Sequence, residues 1–300
     1  MKVFVTGATG FIGSAVVKEL IAAGHQVLGL ARSEASGQKL KIAGAEVHYG
    51  DLTDTESLIA GAQAADGVIH LGFIHDFSRF AEVCAIDRQA IETMGEALIG
   101  ADKPFVVTSG TGVVAMDGML TEDIRPMAVM NNPRLGSEQA VDTLAAKGCR
   151  VSVVRLPPSV HGEGDKHGFV PILINLAREK GKAAIVNDGK NVWPAVHRLD
   201  AARVFRLALE KTASAGTRYH AVSDQGIEMK TIAGAIAARL NVPLVSLAPD
   251  QAGEYFTWFT HFASFNNSTS AKTTQEMLGW QPEYPGLMAD LEDDVYFPAE

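Results

Sequence analysis

Three glycines near the amino terminus carry the clearest chemistry in the sequence. In Thr6-Gly7-Ala8-Thr9-Gly10-Phe11-Ile12-Gly13 they recur at every third position, between an apolar run and an amphipathic stretch. Glycine at 7 permits a tight turn, glycine at 10 lets backbone N–H groups approach an anion, and glycine at 13 lets a helix pack close to the preceding strand. A turn of this kind cradles the pyrophosphate of a dinucleotide at the N-terminus of the helix that opens at Phe11, with Thr9, Phe11 and Ile12 part of the cradle.

Which dinucleotide is bound depends on the end of the second β-branched run. A carboxylate there would hydrogen-bond a ribose diol and repel a 2′-phosphate, but the chain reads Leu30-Ala31-Arg32-Ser33. Arg32 can pair with a phosphate and Ser33 can donate to it, so NADPH is expected over NADH, with NAD as the alternative. The competing reading of Arg32 is a solvated loop charge or a cation stacked on adenine. Asp51-Leu52 follows the third run, where a carboxylate can meet the adenine amino group; Asp51 equally suits the N-cap of the next helix.

The elements that must position these residues are legible as periodicities. Strands are expected at residues 2–6, 26–30, 45–49, 67–71, 104–108 and 150–156, and helices at 11–23, 33–43, 55–62, 76–99 and 134–147. That alternation predicts an α/β fold, a Rossmann-type doubly wound parallel sheet covered by helices on both faces. Beyond Pro157-Pro158 the regularity breaks into a glycine-rich loop at 161–168, a strand at 193–197, a helix at 199–210 and a last strand at 217–223. The expected division is an NAD(P)-binding domain of residues 1–165, to which 186–223 return, and a smaller substrate domain of 166–185 and 224–300.

Bulk composition excludes several classes. The 300 residues are 47% hydrophobic with a net charge of -9 and no Lys/Arg-rich run, so nucleic acid and anionic membranes are not expected partners. No stretch approaches the roughly 20 apolar residues of a membrane span, and the start lacks a signal-peptide pattern, which predicts a cytoplasmic protein. Cys84 and Cys149 lie far apart in apolar contexts, so no metal cluster and no disulfide framework is expected.

With these pieces in place the chain resembles the extended short-chain dehydrogenase/reductase superfamily of NAD(P)-dependent epimerases, dehydratases and reductases, over essentially its whole length. The resemblance rests on Thr6 to Gly13, Asp51-Leu52, Ile69-His70-Leu71-Gly72-Phe73, Val107-Thr108-Ser109, Arg155-Leu156-Pro157-Pro158-Ser159-Val160-His161-Gly162-Glu163-Gly164 and Val196-His197-Arg198-Leu199-Asp200. It implies that Leu71, Gly72, Phe73, Thr108, Leu156, Pro157, Pro158 and Ser159 border the cofactor. The family's Tyr-x-x-x-Lys pair is missing: Met130 takes the tyrosine place, Arg134 the lysine place, and Gly110, flanked by Ser109 and Thr111, aligns with the family serine. The chain looks most like an atypical subgroup in which basic residues replace that pair.

A positioned general acid contributes about 10²- to 10⁴-fold, so its loss matters. Arg134 cannot supply the proton near neutrality, yet it can hold the ribose and stabilise negative charge on a carbonyl oxygen. The proton then comes from His161, His75, Thr111, Ser109 or water, His161 being the first choice because it follows Pro157-Pro158 and titrates near physiological pH. A satisfied structural histidine is the competing reading for His161, as for His75 and His197. Rings concentrated between Tyr255 and Phe265, with Phe73, Phe169 and Trp193, suit either an apolar substrate wall or a core. The resemblance also implies a homodimer through the helices at 76–99 and 134–147. The expected function is NADPH-dependent reduction of a carbonyl or related group on a small, partly apolar molecule. A non-catalytic NADP(H) sensor and an epimerase or dehydratase are the alternatives.

Overall fold

The computed structural model describes residues 1–114, 118–126, 132–211 and 213–297. Its strands are β1 (Lys2–Thr6), β2 (Gln26–Ala31), β3 (Glu46–Tyr49), β4 (Gly67–His70), β5 (Phe105–Gly110), β6 (Val151–Leu156), β7 (Ser159–His161), β8 (Ala183–Val186), β9 (Val192–His197), β10 (Thr217–His220), β11 (Asp224–Glu228) and β12 (Leu244–Leu247). Seven of them form one sheet in the order β10-β6-β5-β4-β1-β2-β3, with every pairing parallel. Parallel neighbours need crossover helices, and the helices supply them: α1 (Phe11–Ala22), α2 (Glu34–Ile42), α3 (Thr55–Gln63), α4 (Phe80–Glu96), α5 (Leu135–Ala146), α6 (Phe169–Lys180) and α7 (Arg198–Glu210). The chain continues through α8 (Met229–Leu240), α9 (Pro249–Phe256), α10 (Thr260–Ser264), α11 (Lys272–Leu278) and α12 (Leu287–Glu292).

The central strands of this sheet are buried on both faces, which is why β1 and β4 read as nearly continuous apolar runs. Val3 and Val5 of β1 join the core under α1 and α7, while Phe4 between them joins the opposite core under α3, α4 and α5. A second body of apolar packing gathers Ile174 of α6, Ile185 of β8, Ile232 of α8, Phe256 and Phe259. The strand β9 serves both bodies: Trp193 lies in this second core and Val196 in the core of the main sheet. It also carries a small sheet of order β11-β9-β7, and β12 pairs with β8 in another.

Three local expectations differ from the structure. The helix expected at 76–99 opens with a 3₁₀ turn at Phe77–Arg79, because the Asp76 carboxylate accepts from the Ser78 N–H and fixes a cap ahead of α4. Residues 159–161, of which only His161 falls in an expected element, the glycine-rich loop, pair with β9 as β7. The strand expected at 217–223 pairs with β6 only to His220. Among the described residues no helix is long and apolar enough to cross a membrane.

Candidate active site

The glycine turn closes where β1 and β4 lie side by side, at the point where the strand order reverses direction. Gly7 has φ +66°, and a Cβ there would meet the Leu71 and Gly72 backbone at 2.7 Å. A Cβ on Gly13 would stand 2.0 Å from the Gly7 carbonyl oxygen, so α1 approaches the turn only because neither residue has a side chain. Gly10 caps α1 with extended backbone, no side chain occupies the cap, and no acidic residue enters the first turn. The amides of Phe11, Ile12 and Gly13, in that first turn, therefore have no intrahelical acceptor and lie at the positive end of the helix. These residues fit a pyrophosphate. Arg198, at the start of α7, adds a cation that sequence reasoning missed: its guanidinium lies over the Phe11 ring, 5.1 Å from the centroid. Its signal was only the basic residue after the strand at 193–197, and nothing local says that this strand end reaches the glycine turn.

Around the expected adenosine end, Arg32 is exposed and, among the described residues, makes no salt bridge. Ser33 caps α2, its hydroxyl oxygen accepting from the Ser36 N–H at 3.2 Å. Asp51 accepts from the Thr53 N–H and hydroxyl, each at 2.6 Å, and those bonds hold its carboxyl below the usual range. The cap of α3 is Asp54, so the capping alternative for Asp51 is not what the structure shows.

Arg134 sits at the N-cap of α5 and its guanidinium is held on several sides. One Nη donates to Asp87 and to Ser137, the other to the Thr108 carbonyl at 3.1 Å, and Phe73 covers its face at 4.4 Å. Asp87, on α4, is fully buried and also accepts from Ser137 at 2.5 Å and from His70 Nε2 at 3.2 Å. Burial pushes the Asp87 carboxyl up, but Arg134, His70 and Ser137 outweigh it and leave the group below the usual range. On its other side His70 Nδ1 meets the Thr6 hydroxyl at 2.7 Å, and Thr6 accepts from the Gly72 N–H at 3.1 Å. A continuous buried chain thus joins the floor of the glycine turn to Arg134, while the Thr108 hydroxyl donates to the His70 carbonyl at 2.6 Å. Met130 lies outside the described residues.

The other proton-donor candidates are placed elsewhere. The Ser109 hydroxyl is buried and donates to Glu138 at 2.8 Å. Thr111 is fully buried, its hydroxyl donating to Asn267 at 2.6 Å. His161 is fully buried too, with Nδ1 on Asp290 at 2.6 Å and its ring edge-on to His197. The two hydroxyls spend their hydrogens inside the packing, His161 Nε2 is buried without a partner, and no hydrogen bond joins these three to Arg134. His75 differs: part of its surface is open to solvent, its ring lies 5.4 Å from Phe73, and its pKa is lowered chiefly because neighbouring groups keep water from the imidazole, with Arg134 adding to this and a Phe73 backbone hydrogen bond opposing it. Leu156 and Pro158 are half-buried, Pro157 and Ser159 buried.

Ser109 belongs to a buried cluster that the sequence did not disclose. Glu138 receives Arg155 Nε at 2.8 Å, Arg155 Nη2 at 2.7 Å and Arg218 Nε at 3.3 Å. Burial raises the Glu138 carboxyl, but these cations and Ser109 bring it net below the usual value near 4.5. A group depressed on folding contributes stability that is complete above its unfolded value and lost as pH falls through the folded one. Glu138→Gln is therefore expected to lower stability by about 3–5 kcal/mol at neutral pH, since it leaves the buried Arg155 without its counter-charge and Arg218 with Asp142 alone. Its deficit should shrink toward acid. Chemical denaturation at pH 7 and pH 3.5 checks this, and an equal deficit at both values would contradict it.

The model of the NAD dependent epimerase/dehydratase family matches residues 3–221 of the chain. An uncharacterized protein of Schizosaccharomyces pombe, C2A9.02, is 47% identical over 297 residues, covering 99% of this chain and 100% of the relative. The 2-alkyl-3-oxoalkanoate reductase of Stenotrophomonas maltophilia is 27% identical over 264 residues, covering 83% and 78%. Among solved structures, DesIV (dTDP-glucose 4,6-dehydratase) from Streptomyces venezuelae with NAD and TYD bound shares the fold with TM-score 0.77, 20% identity and 98% and 96% coverage. The chain belongs to the NAD dependent epimerase/dehydratase family. It is an NAD(P)-dependent enzyme of that family.

Proposed function

We propose that the protein is an NADPH-dependent oxidoreductase that reduces a carbonyl or related group on a small, partly apolar molecule. The observation that carries the reading is the glycine cradle followed, at the end of β2, by an exposed Arg32 and no carboxylate. Gly7, Gly10 and Gly13 would hold the pyrophosphate with the amides of α1 and with Arg198, and Arg32 the 2′-phosphate. NADPH supplies hydride when bound; the chain's own residues hold and polarise the acceptor. Arg134, oriented by Asp87, Ser137 and the Thr108 carbonyl, keeps N–H groups beyond those bonds to face a carbonyl oxygen, and acts by electrostatic stabilisation without giving up a proton. Because Ser109 and Thr111 spend their polar hydrogens inside the packing and His161 is fully buried, solvent provides the proton by way of the exposed His75. The reductase relative from Stenotrophomonas supports the direction of this reading.

Calorimetry with both dinucleotides tests it. A charge-assisted phosphate contact is worth about 1.5–3 kcal/mol, so Arg32→Asp is expected to weaken NADPH binding by about 10- to 100-fold while NADH binding holds or improves. Equal affinities for the two dinucleotides in the unaltered protein would dismiss the preference. The burial of the candidate hydroxyls also favours a second reading, a protein that binds NADP(H) and signals its redox state without turnover; a panel of carbonyl compounds followed at the NADPH absorbance band separates the two. A homodimer through α4 and α5 completes the proposal, with a light-scattering mass of two chains expected and a mass of one chain excluding it.

A further inference from the structure

We infer that the molecule reduced at this site carries a flat, uncharged ring, and that Trp258 is the side chain that selects it. The inference rests on the carbonyl-reductase reading above and deepens it. A run of rings leads outward from Arg134: Phe73 lies 4.4 Å beneath the guanidinium, His75 is 5.4 Å from Phe73, Phe77 is 6.4 Å from His75, and Trp258 stacks on Phe77 at 5.0 Å and 20°. Phe262 closes the far side, edge-on to both Phe77 and Trp258. The run therefore joins the exit of β4, beside the glycine turn, to the helices that follow α9.

Trp258 is 53% exposed, whereas Trp193 and Trp280 are fully buried. Half an indole left in water is unspent apolar surface, and its position is bought with backbone strain. Thr257 ends α9 at φ +53° and ψ −126°, a region that β-branched residues rarely enter. That turn leaves Phe256 and Phe259 in the second core while Trp258 faces outward onto Phe77. A strained residue persists when its surroundings over-determine it, and such residues cluster where ligands are held. Charge along the run is cancelled: Asp87 neutralises Arg134, His75 is held toward its neutral form, and Arg79 beside Phe77 is paired with Asp76 and Glu82. Among the described residues the run offers no free cation to a sugar diphosphate, and the exposed surface of Trp258 suits an uncharged ring, which stacks on it.

The test uses a matched pair, acetophenone and cyclohexyl methyl ketone, of similar size and differing in the flatness of the ring. With the intact chain and saturating NADP⁺, each is titrated while tryptophan emission is followed, and Trp258→Phe isolates the Trp258 component. Acetophenone is expected to quench that component saturably at a concentration about 10-fold lower than its saturated counterpart. Both variants lack that indole, so their ketone affinities are read by calorimetry: Trp258→Leu is expected to bring the ratio of the two affinities to within about 2-fold, and Trp258→Phe to keep most of it, with melting temperatures unchanged. Equal binding of the two ketones, or a preference that survives Trp258→Leu, overturns the inference, as does a Trp258 component that disappears with rising protein concentration because a second copy covers it. Repeating the titration without nucleotide, beside calorimetry with NADPH, separates the two proposals: no NADPH binding removes the enzymatic reading, while the ring preference stands or falls on the ketone titrations.

Discussion

Gly13→Ala is expected to reduce NADPH binding by more than about 100-fold and to lower the melting temperature. The added Cβ would stand 2.0 Å from the Gly7 oxygen, 2.8 Å from the Gly7 carbonyl carbon and 3.1 Å from Ala8 Cα. All three are backbone atoms, so no side chain can swing aside; either α1 slides away from β1 or the turn opens. Overpacking of this kind costs about 1–3 kcal/mol of stability. The larger loss falls on the ligand, because the amides of α1 and the turn must converge on one pyrophosphate and a shift of a fraction of an ångström separates them. Gly234→Ala in α8 is the control: a Cβ there meets nothing within 4 Å, and replacing a helical glycine is expected to gain about 0.5–1 kcal/mol. Calorimetry and thermal melting of both variants decide the matter, and full NADPH affinity in Gly13→Ala would refute the assignment of the cradle.

Removal of Asp87 is expected to be among the costliest single changes at the site. Asp87→Ala leaves the Arg134 guanidinium without its counter-charge and His70 Nε2 without its acceptor, both in the interior. Breaking a buried ion pair from one side destabilises by about 3–5 kcal/mol, because the surviving charge stays desolvated. Arg134→Ala should do comparable damage from the other side. Replacing both partners at once with apolar residues, Asp87→Leu with Arg134→Met, should recover most of that stability, since no uncompensated charge remains, while any carbonyl reduction stays lost. Denaturant unfolding of the two singles and the double forms a closed cycle; additive losses would mean that the pair is not coupled. The pH dependence has a definite sign. The Asp87 carboxyl is depressed on folding, so its contribution is complete above the ordinary aspartate range and disappears as acid protonates it in the folded state.

Each of these effects had a different visibility in the chain. The glycine turn was legible because its three requirements are local: a positive φ at Gly7, close approach at Gly10, and close helix packing at Gly13 all follow from spacing between an apolar run and an amphipathic one. The parallel sheet was legible for the same reason, since strands buried on both faces must be apolar without interruption, as Val3, Phe4 and Val5 are. Asp87 was not. It lies on α4 among residues of helical period, and an acid in a helix is ordinarily read as a solvated face; only the packing of α4 against α5 brings it to Arg134. Ser109, Thr111 and His161 show the converse. Their types and neighbours suit proton transfer, but Glu138, Asn267 and Asp290, distant in sequence, take up the Ser109 and Thr111 hydroxyls and His161 Nδ1.

By itself the sequence determined the cradle, the alternation that builds the sheet around it, and the basic residue after β2, because each depends on conformational freedom or burial within a few residues. Only the tertiary structure decided which side chains meet beside it. A hydrogen bond or ion pair depends on ångström distances between elements that may be more than a hundred residues apart, and no local periodicity encodes them.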